Sequence, residues 1–119
     1  MITIIGAGPA GCYAAQLLAK AGKNVQIFEE HKEIGEPVQC TGIVTSSIND
    51  ILKIKKDIII NEIEKVKIFA PNKKYIELRL KNKNIILDRK KFDNYLADLA
   101  VDSGARIFLN YKFQVYKNN

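Results

Sequence analysis

The chain opens on Ile2-Thr3-Ile4-Ile5 and passes straight into Gly6-Ala7-Gly8-Pro9-Ala10-Gly11. A short apolar run closed by glycine predicts a buried strand. Residues 10–21 follow with helical spacing that puts Ala10, Ala14, Leu17, Leu18 and Ala21 on one face, and Gly22 is placed to stop the helix. Residues 24–28 make a second strand, ending in Glu29-Glu30. From 31 to 42 the glycines and Pro37 mark a loop, after which Thr45-Ser46-Ser47 can cap a short helix to Ile54. Residues 57–64 fit a strand or the tail of that helix. Residues 65–70 and 75–80 alternate with period two around Pro71-Asn72, which predicts a hairpin. Lys81–Asn84 reads as a further turn and 85–87 as a short strand. Asp88 is placed to cap a helix over 89–103, with Phe92, Leu96, Leu99 and Ala100 facing inward. Gly104 ends it, 105–109 reads as a buried strand, and 111–116 as the start of one more.

Strand–helix–strand, an antiparallel insertion, then helix–strand is an α/β order. It predicts a Rossmann-like domain in which 2–5, 24–28 and 105–109 are parallel neighbours and the hairpin is an insertion. The glycine turn carries the candidate chemistry. Gly6 permits a tight turn off the strand, Gly8 lacks the Cβ that would block a pyrophosphate, and Gly11 lets helix and strand pack closely. Pro9 suits the first helical position, whose N–H has no intrahelical partner. With Ala10 these residues form a candidate phosphate cradle at a helix N-terminus. Glu29 lies 18 positions after Gly11, near the ~20-residue spacing of an acid that accepts a ribose hydroxyl. Glu30 stands beside it, but strand alternation favours Glu29, and a carboxylate there disfavours a 2′-phosphate.

Composition narrows the function classes. The 119 residues are 47% hydrophobic and 27% charged, as in a single globular domain. No apolar run reaches the ~18 residues of a membrane span. Met1 leads directly into the first strand without a basic leader or cleavage site, which predicts a cytoplasmic protein. Cys12 and Cys40 make no metal spacing; Cys12, on the helix, reads as a small buried thiol. His31 is the only histidine, so a histidine metal cluster is excluded. The net charge of +6 is concentrated between Lys53 and Lys91, where thirteen basic residues face five acidic ones. That stretch has no RNA-binding signature or interleaved aromatics, which argues against nucleic acid. It reads as a solvated lysine face and leaves open a peripheral contact with an anionic membrane.

Three blocks together resemble the N-terminal part of the FAD-dependent geranylgeranyl reductase family, within the para-hydroxybenzoate hydroxylase-like flavoproteins. They are Gly6–Gly11 with Glu29; the loop Ile34-Gly35-Glu36-Pro37-Val38-Gln39-Cys40-Thr41-Gly42; and Leu87-Asp88-Arg89-Lys90-Lys91-Phe92-Asp93 with Leu96. The first block is shared by many FAD and NAD enzymes, the second is much more specific to the reductases, and the third supports the same branch. The resemblance implies FAD as cofactor, with the pyrophosphate on Gly6, Gly8 and Gly11 and the ribose on Glu29. It implies that Gln39, Cys40, Thr41 and Gly42 lie near the flavin ring, with Cys40 a candidate proton donor, and that Arg89 reaches the ribityl-phosphate portion. An arginine at a helix N-terminus opposes the macrodipole and calls for an anionic partner, which a surface pair with Asp88 or Asp93 would also supply. The implied reaction is reduction of C=C bonds in geranylgeranyl chains, of archaeal-type ether lipids or of chlorophyll precursors, with a prenylated lipid as substrate.

The family's second flavin-contact motif, its aromatic substrate motif and its C-terminal region have no counterpart in the sequence. The expected domain is therefore incomplete: residues 1–119 correspond to the first part of an FAD/NAD(P)-binding domain. Two alternatives stay open at this point. One is another flavoprotein monooxygenase or dehydrogenase of the same fold. The other is a non-catalytic nucleotide-binding half of a split protein, completed by a second chain.

Overall fold

A computed structural model of the chain describes residues 1–115. The chain forms two compact units, one built from Met1–Gln39 with the residues from Lys90 on, the other from Cys40–Arg89.

The first unit is a parallel sheet with helices. Its strands are β1 (Ile2–Ile5), β2 (Val25–Phe28) and β6 (Arg106–Phe108), ordered β1-β2-β6 with Ile4 opposite Ile27 and Ile27 opposite Ile107. The three strands expected to be parallel neighbours are so. Val25 and Ile27 on the central strand are wholly buried, and α1 packs on this strand. β1 is paired on one side only among the described residues, and Ile5 is 51% exposed, so the expectation of a buried first strand holds only in part.

Helix α1 (Pro9–Lys20) starts and stops where its sequence punctuation lies: Gly22, at φ +74°, donates to Ala19 O and closes it. Its buried face differs from the expected one. Cys12, Ala15 and Gln16 are inside, whereas Ala10, Ala14 and Ala21 are exposed and Leu17 is 50% exposed. The cause is Gly11. Its close contact with Gly6 and Ile4 turns that side of the helix to the strand, and Ala15, four residues on, lies on the same side and is buried. Helix α3 (Arg89–Asp102) buries Phe92, Asp93, Leu96, Ala97 and Ala100, with Leu99 half-buried, and Gly104 at φ +103° follows it. Residues 111–115, expected to begin a strand, form none, and Tyr116 lies outside the described residues. The chain turns at Asn110 (φ +63°), and Tyr111 packs on the Phe28 ring, centroids 5.4 Å apart.

The second unit is an antiparallel sheet ordered β3-β5-β4, from β3 (Ile43–Thr45), β4 (Ile59–Phe69) and β5 (Tyr75–Leu87). The hairpin is longer than its sequence pattern. Lys81–Asn84 is not a turn: β5 runs through it, with Asn84 opposite both Ile63 and Thr45. Polar side chains are tolerated there because both faces of the ribbon meet solvent, and the backbone ladder decides the conformation. The short helix α2 (Ile48–Ile51) ends at Leu52, before the expected Ile54, where the backbone turns extended (φ −148°, ψ 133°). The ambiguous stretch from 57 resolves into a single turn of 3-10 helix (Lys56–Ile58) followed by β4. Ile54, Ile58, Ile85 and Leu87 are buried in this unit. No helix among the described residues is long and apolar enough to cross a membrane.

Candidate functional site

The glycine turn between β1 and α1 is held by its middle peptide. The Ala7 N–H donates to Glu29 Oε2 at 2.7 Å, and the Ala7 carbonyl accepts from Cys12 Sγ at 3.2 Å. Cys12 can donate because its thiol stays protonated: burial, with help from the Asp93 and Glu29 charges, pushes its pKa up to about 12. Gly6 adopts φ +95°, the left-handed region that a side chain opposes. Gly8 is different. It is the N-cap of α1 with extended backbone (φ −73°, ψ 178°), and a Cβ built there meets nothing within 4 Å. A Cβ on Gly11 would be driven into the Gly6 carbonyl oxygen, with the Ile4 Cγ2 methyl at 3.3 Å. One glycine therefore turns the chain, one leaves open space, and one packs.

That open space lies at the N-terminus of a twelve-residue helix with Pro9 at its start and no acid in its first turn. The first-turn N–H groups lack intrahelical acceptors and the dipole favours an anion there. Glu29, its side chain 12% exposed, is fixed at the end of β2. Partial burial pushes its pKa up, but hydrogen bonds from the Ala7 and His31 N–H groups and the His31 imidazole outweigh this and hold it below the usual 4.5. The carboxylate is therefore ionised at neutral pH. A cradle open where phosphates would approach, with an ionised acid hydrogen-bonded to its turn, fits an adenine dinucleotide bearing a free 2′-hydroxyl. Glu30 is exposed and pairs with Lys112 at 3.2 Å.

Of the loop residues, Gln39 is exposed at the end of the first unit's opening segment. Within the second unit, Cys40, Thr41, Gly42 and Arg89 come together. Gly42 takes φ +75°, accepts from Leu87 N–H at 2.9 Å through its carbonyl, and has no room for a Cβ against Leu87 O. The Gly42 N–H points to Cys40 Sγ at 3.5 Å. This N–H, then the Arg89 side chain, lowers the pKa of the exposed Cys40 thiol below its usual 9.0. The Arg89 side chain thus favours the ionised form of the Cys40 sulfur. Iodoacetamide is expected to alkylate Cys40 in the native chain, with a pH midpoint below 9.0 that rises in Arg89→Ala, and to spare Cys12 until denaturant is added. Intact-mass time courses check this; equal labelling of both thiols would contradict it.

Sequence reasoning missed two participants. His31 contacts Glu29 Oε1 through both its backbone N–H (3.0 Å) and Nδ1 (2.6 Å), and Cys12 pins the turn from the helix side. A lone histidine two residues after the acid was the available signal for the first.

Fold and turn define a Rossmann-like nucleotide-binding protein, and a family model described as an NAD(P)-binding Rossmann-like domain matches residues 4–42. Within that class the chain is homologous to the N-terminal portion of the digeranylgeranylglycerophospholipid reductases. Digeranylgeranylglycerophospholipid reductase 2 of Methanopyrus kandleri is 37% identical over 110 residues, covering 91% of this chain and 27% of that protein. An uncharacterized protein from the nifH2 5′ region of Methanosarcina barkeri is 32% identical over 120 residues, covering 91% of this chain and 63% of its own length. The crystal structure of a geranylgeranyl bacteriochlorophyll reductase-like protein from Thermoplasma acidophilum superposes with a TM-score of 0.82 at 32% identity, over 91% of this chain and 29% of that one. The chain thus spans under a third of the reductases it matches. Flavin-dependent halogenases at 13–21% identity share the fold alone.

Proposed function

We propose that this chain is the FAD-binding portion of a flavin-dependent oxidoreductase that reduces C=C bonds of geranylgeranyl chains in archaeal-type ether lipids. The observation that carries the cofactor assignment is the open approach at Gly8 beside the ionised, turn-bound Glu29. Similarity to reductases of that lipid class supports the substrate. When bound, FAD supplies the redox chemistry. The chain's residues supply its seat: Gly6, Gly8, Pro9, Ala10 and Gly11 for the pyrophosphate, Glu29 for the ribose. On the resemblance alone, Gln39, Cys40, Thr41, Gly42 and Arg89 serve the flavin side, with Cys40 as the candidate proton donor. A prenylated lipid resides in a bilayer, so this reading also makes the protein a cytoplasmic one in peripheral contact with the membrane.

Calorimetric titration with FAD, NAD and NADP tests the cofactor assignment. FAD is expected to bind most tightly and NADP most weakly, because the Glu29 carboxylate repels a 2′-phosphate. Tighter binding of NADP than of FAD would reject the assignment.

A further inference from the structure

An ionised carboxylate offers about four lone-pair positions. In Glu29 three are taken: Ala7 N–H on Oε2 at 2.7 Å, and on Oε1 the His31 N–H at 3.0 Å and the His31 Nδ1 at 2.6 Å. One position is left, whereas a ribose presents two vicinal hydroxyls. The three contacts are not equally permanent. The two backbone N–H groups are held by the fold: Asn110 N–H donates to His31 O at 3.1 Å, Tyr111 N–H to Glu29 O at 2.8 Å, and the Ala7 peptide is pinned at both ends. The imidazole belongs to a side chain 40% exposed, with only χ rotation needed to leave.

Resting on the adenine-dinucleotide site proposed above, we infer that His31 is a specificity-determining residue whose imidazole competes with the ribose for Glu29 Oε1. Full two-hydroxyl recognition of the ribose requires the ring to swing away. Because Glu29 is ionised, the imidazole bond goes to a charged acceptor and is roughly twice as strong as one between neutral groups, and the ribose must displace it.

The test is calorimetry with FAD at pH 8.0 on the wild-type chain, His31→Ala and His31→Gln, with thermal melts confirming each variant folded. His31→Ala should bind roughly tenfold more tightly than wild type, the worth of a hydrogen bond to an ionised group. His31→Gln, which keeps a side-chain N–H donor, should bind about as wild type does. On FAD addition the wild-type imidazole 15N signals should shift as the ring leaves the carboxylate. FAD binding by His31→Ala that is no tighter than wild type overturns the inference while leaving the nucleotide site standing. No FAD binding by wild type overturns both.

Discussion

Gly8→Val is expected to abolish FAD binding, by at least about a hundredfold, in a chain that still folds. The backbone at Gly8 is extended, a conformation any residue adopts, and a Cβ there touches nothing within 4 Å. Valine is a poorer N-cap than glycine but restricts the unfolded chain, and the two effects offset to within about 1 kcal/mol. The branched side chain would instead fill the space in front of the first-turn N–H groups, where the pyrophosphate must approach. Hundredfold weaker binding corresponds to about 2.8 kcal/mol of lost interaction. Calorimetry with FAD and a thermal melt, run on the same sample, separate the two quantities. Unchanged FAD affinity in a folded Gly8→Val chain would mean that the phosphates lie elsewhere.

The sequence made the turn legible because each of its glycines answers a separate steric demand, and steric demands are local. Parallel pairing of 2–5, 24–28 and 105–109 was legible for a similar reason: apolar segments joined through helices have few other ways to share a sheet. The rotation of α1 was not. Its surface is apolar on more than one side, so periodicity offered two faces, and the choice fell to the backbone contact at Gly11, which periodicity does not encode. The length of the hairpin was hidden in the same way. Lys-Asn-Lys-Asn has turn composition, yet pairing partners on both sides, Ile63 and Thr45, hold Asn84 in β5. At the candidate site the place of Glu29 at the end of β2 was readable from the pattern, but its three hydrogen-bond donors were not. They come from a turn 22 residues away and from a histidine whose ring direction only the folded loop decides.

Gly11→Ala inverts the expectation for Gly8, three positions earlier in the same turn. The added methyl would be forced against the Gly6 carbonyl oxygen, a backbone atom with no rotamer to escape into, and against the Ile4 methyl at 3.3 Å. Relief requires α1 to lift from β1, which would stretch the pinned Ala7 peptide and uncover Cys12 and Ala15, both wholly buried. Overpacking of this kind costs about 3 kcal/mol, a large share of the ~5–15 kcal/mol that holds a domain of this size together. The melting temperature should fall by roughly 10–20 °C, read by circular dichroism without any ligand. The helical gain of alanine over glycine, about 1 kcal/mol at most, is too small to reverse the sign. Lifting the helix would also free Cys12, so native-state alkylation should spread from Cys40 alone to both thiols. A Gly11→Ala chain that melts within a few degrees of wild type, with Cys12 still protected, would show that the helix–strand contact yields easily and that packing is not what glycine does at this position.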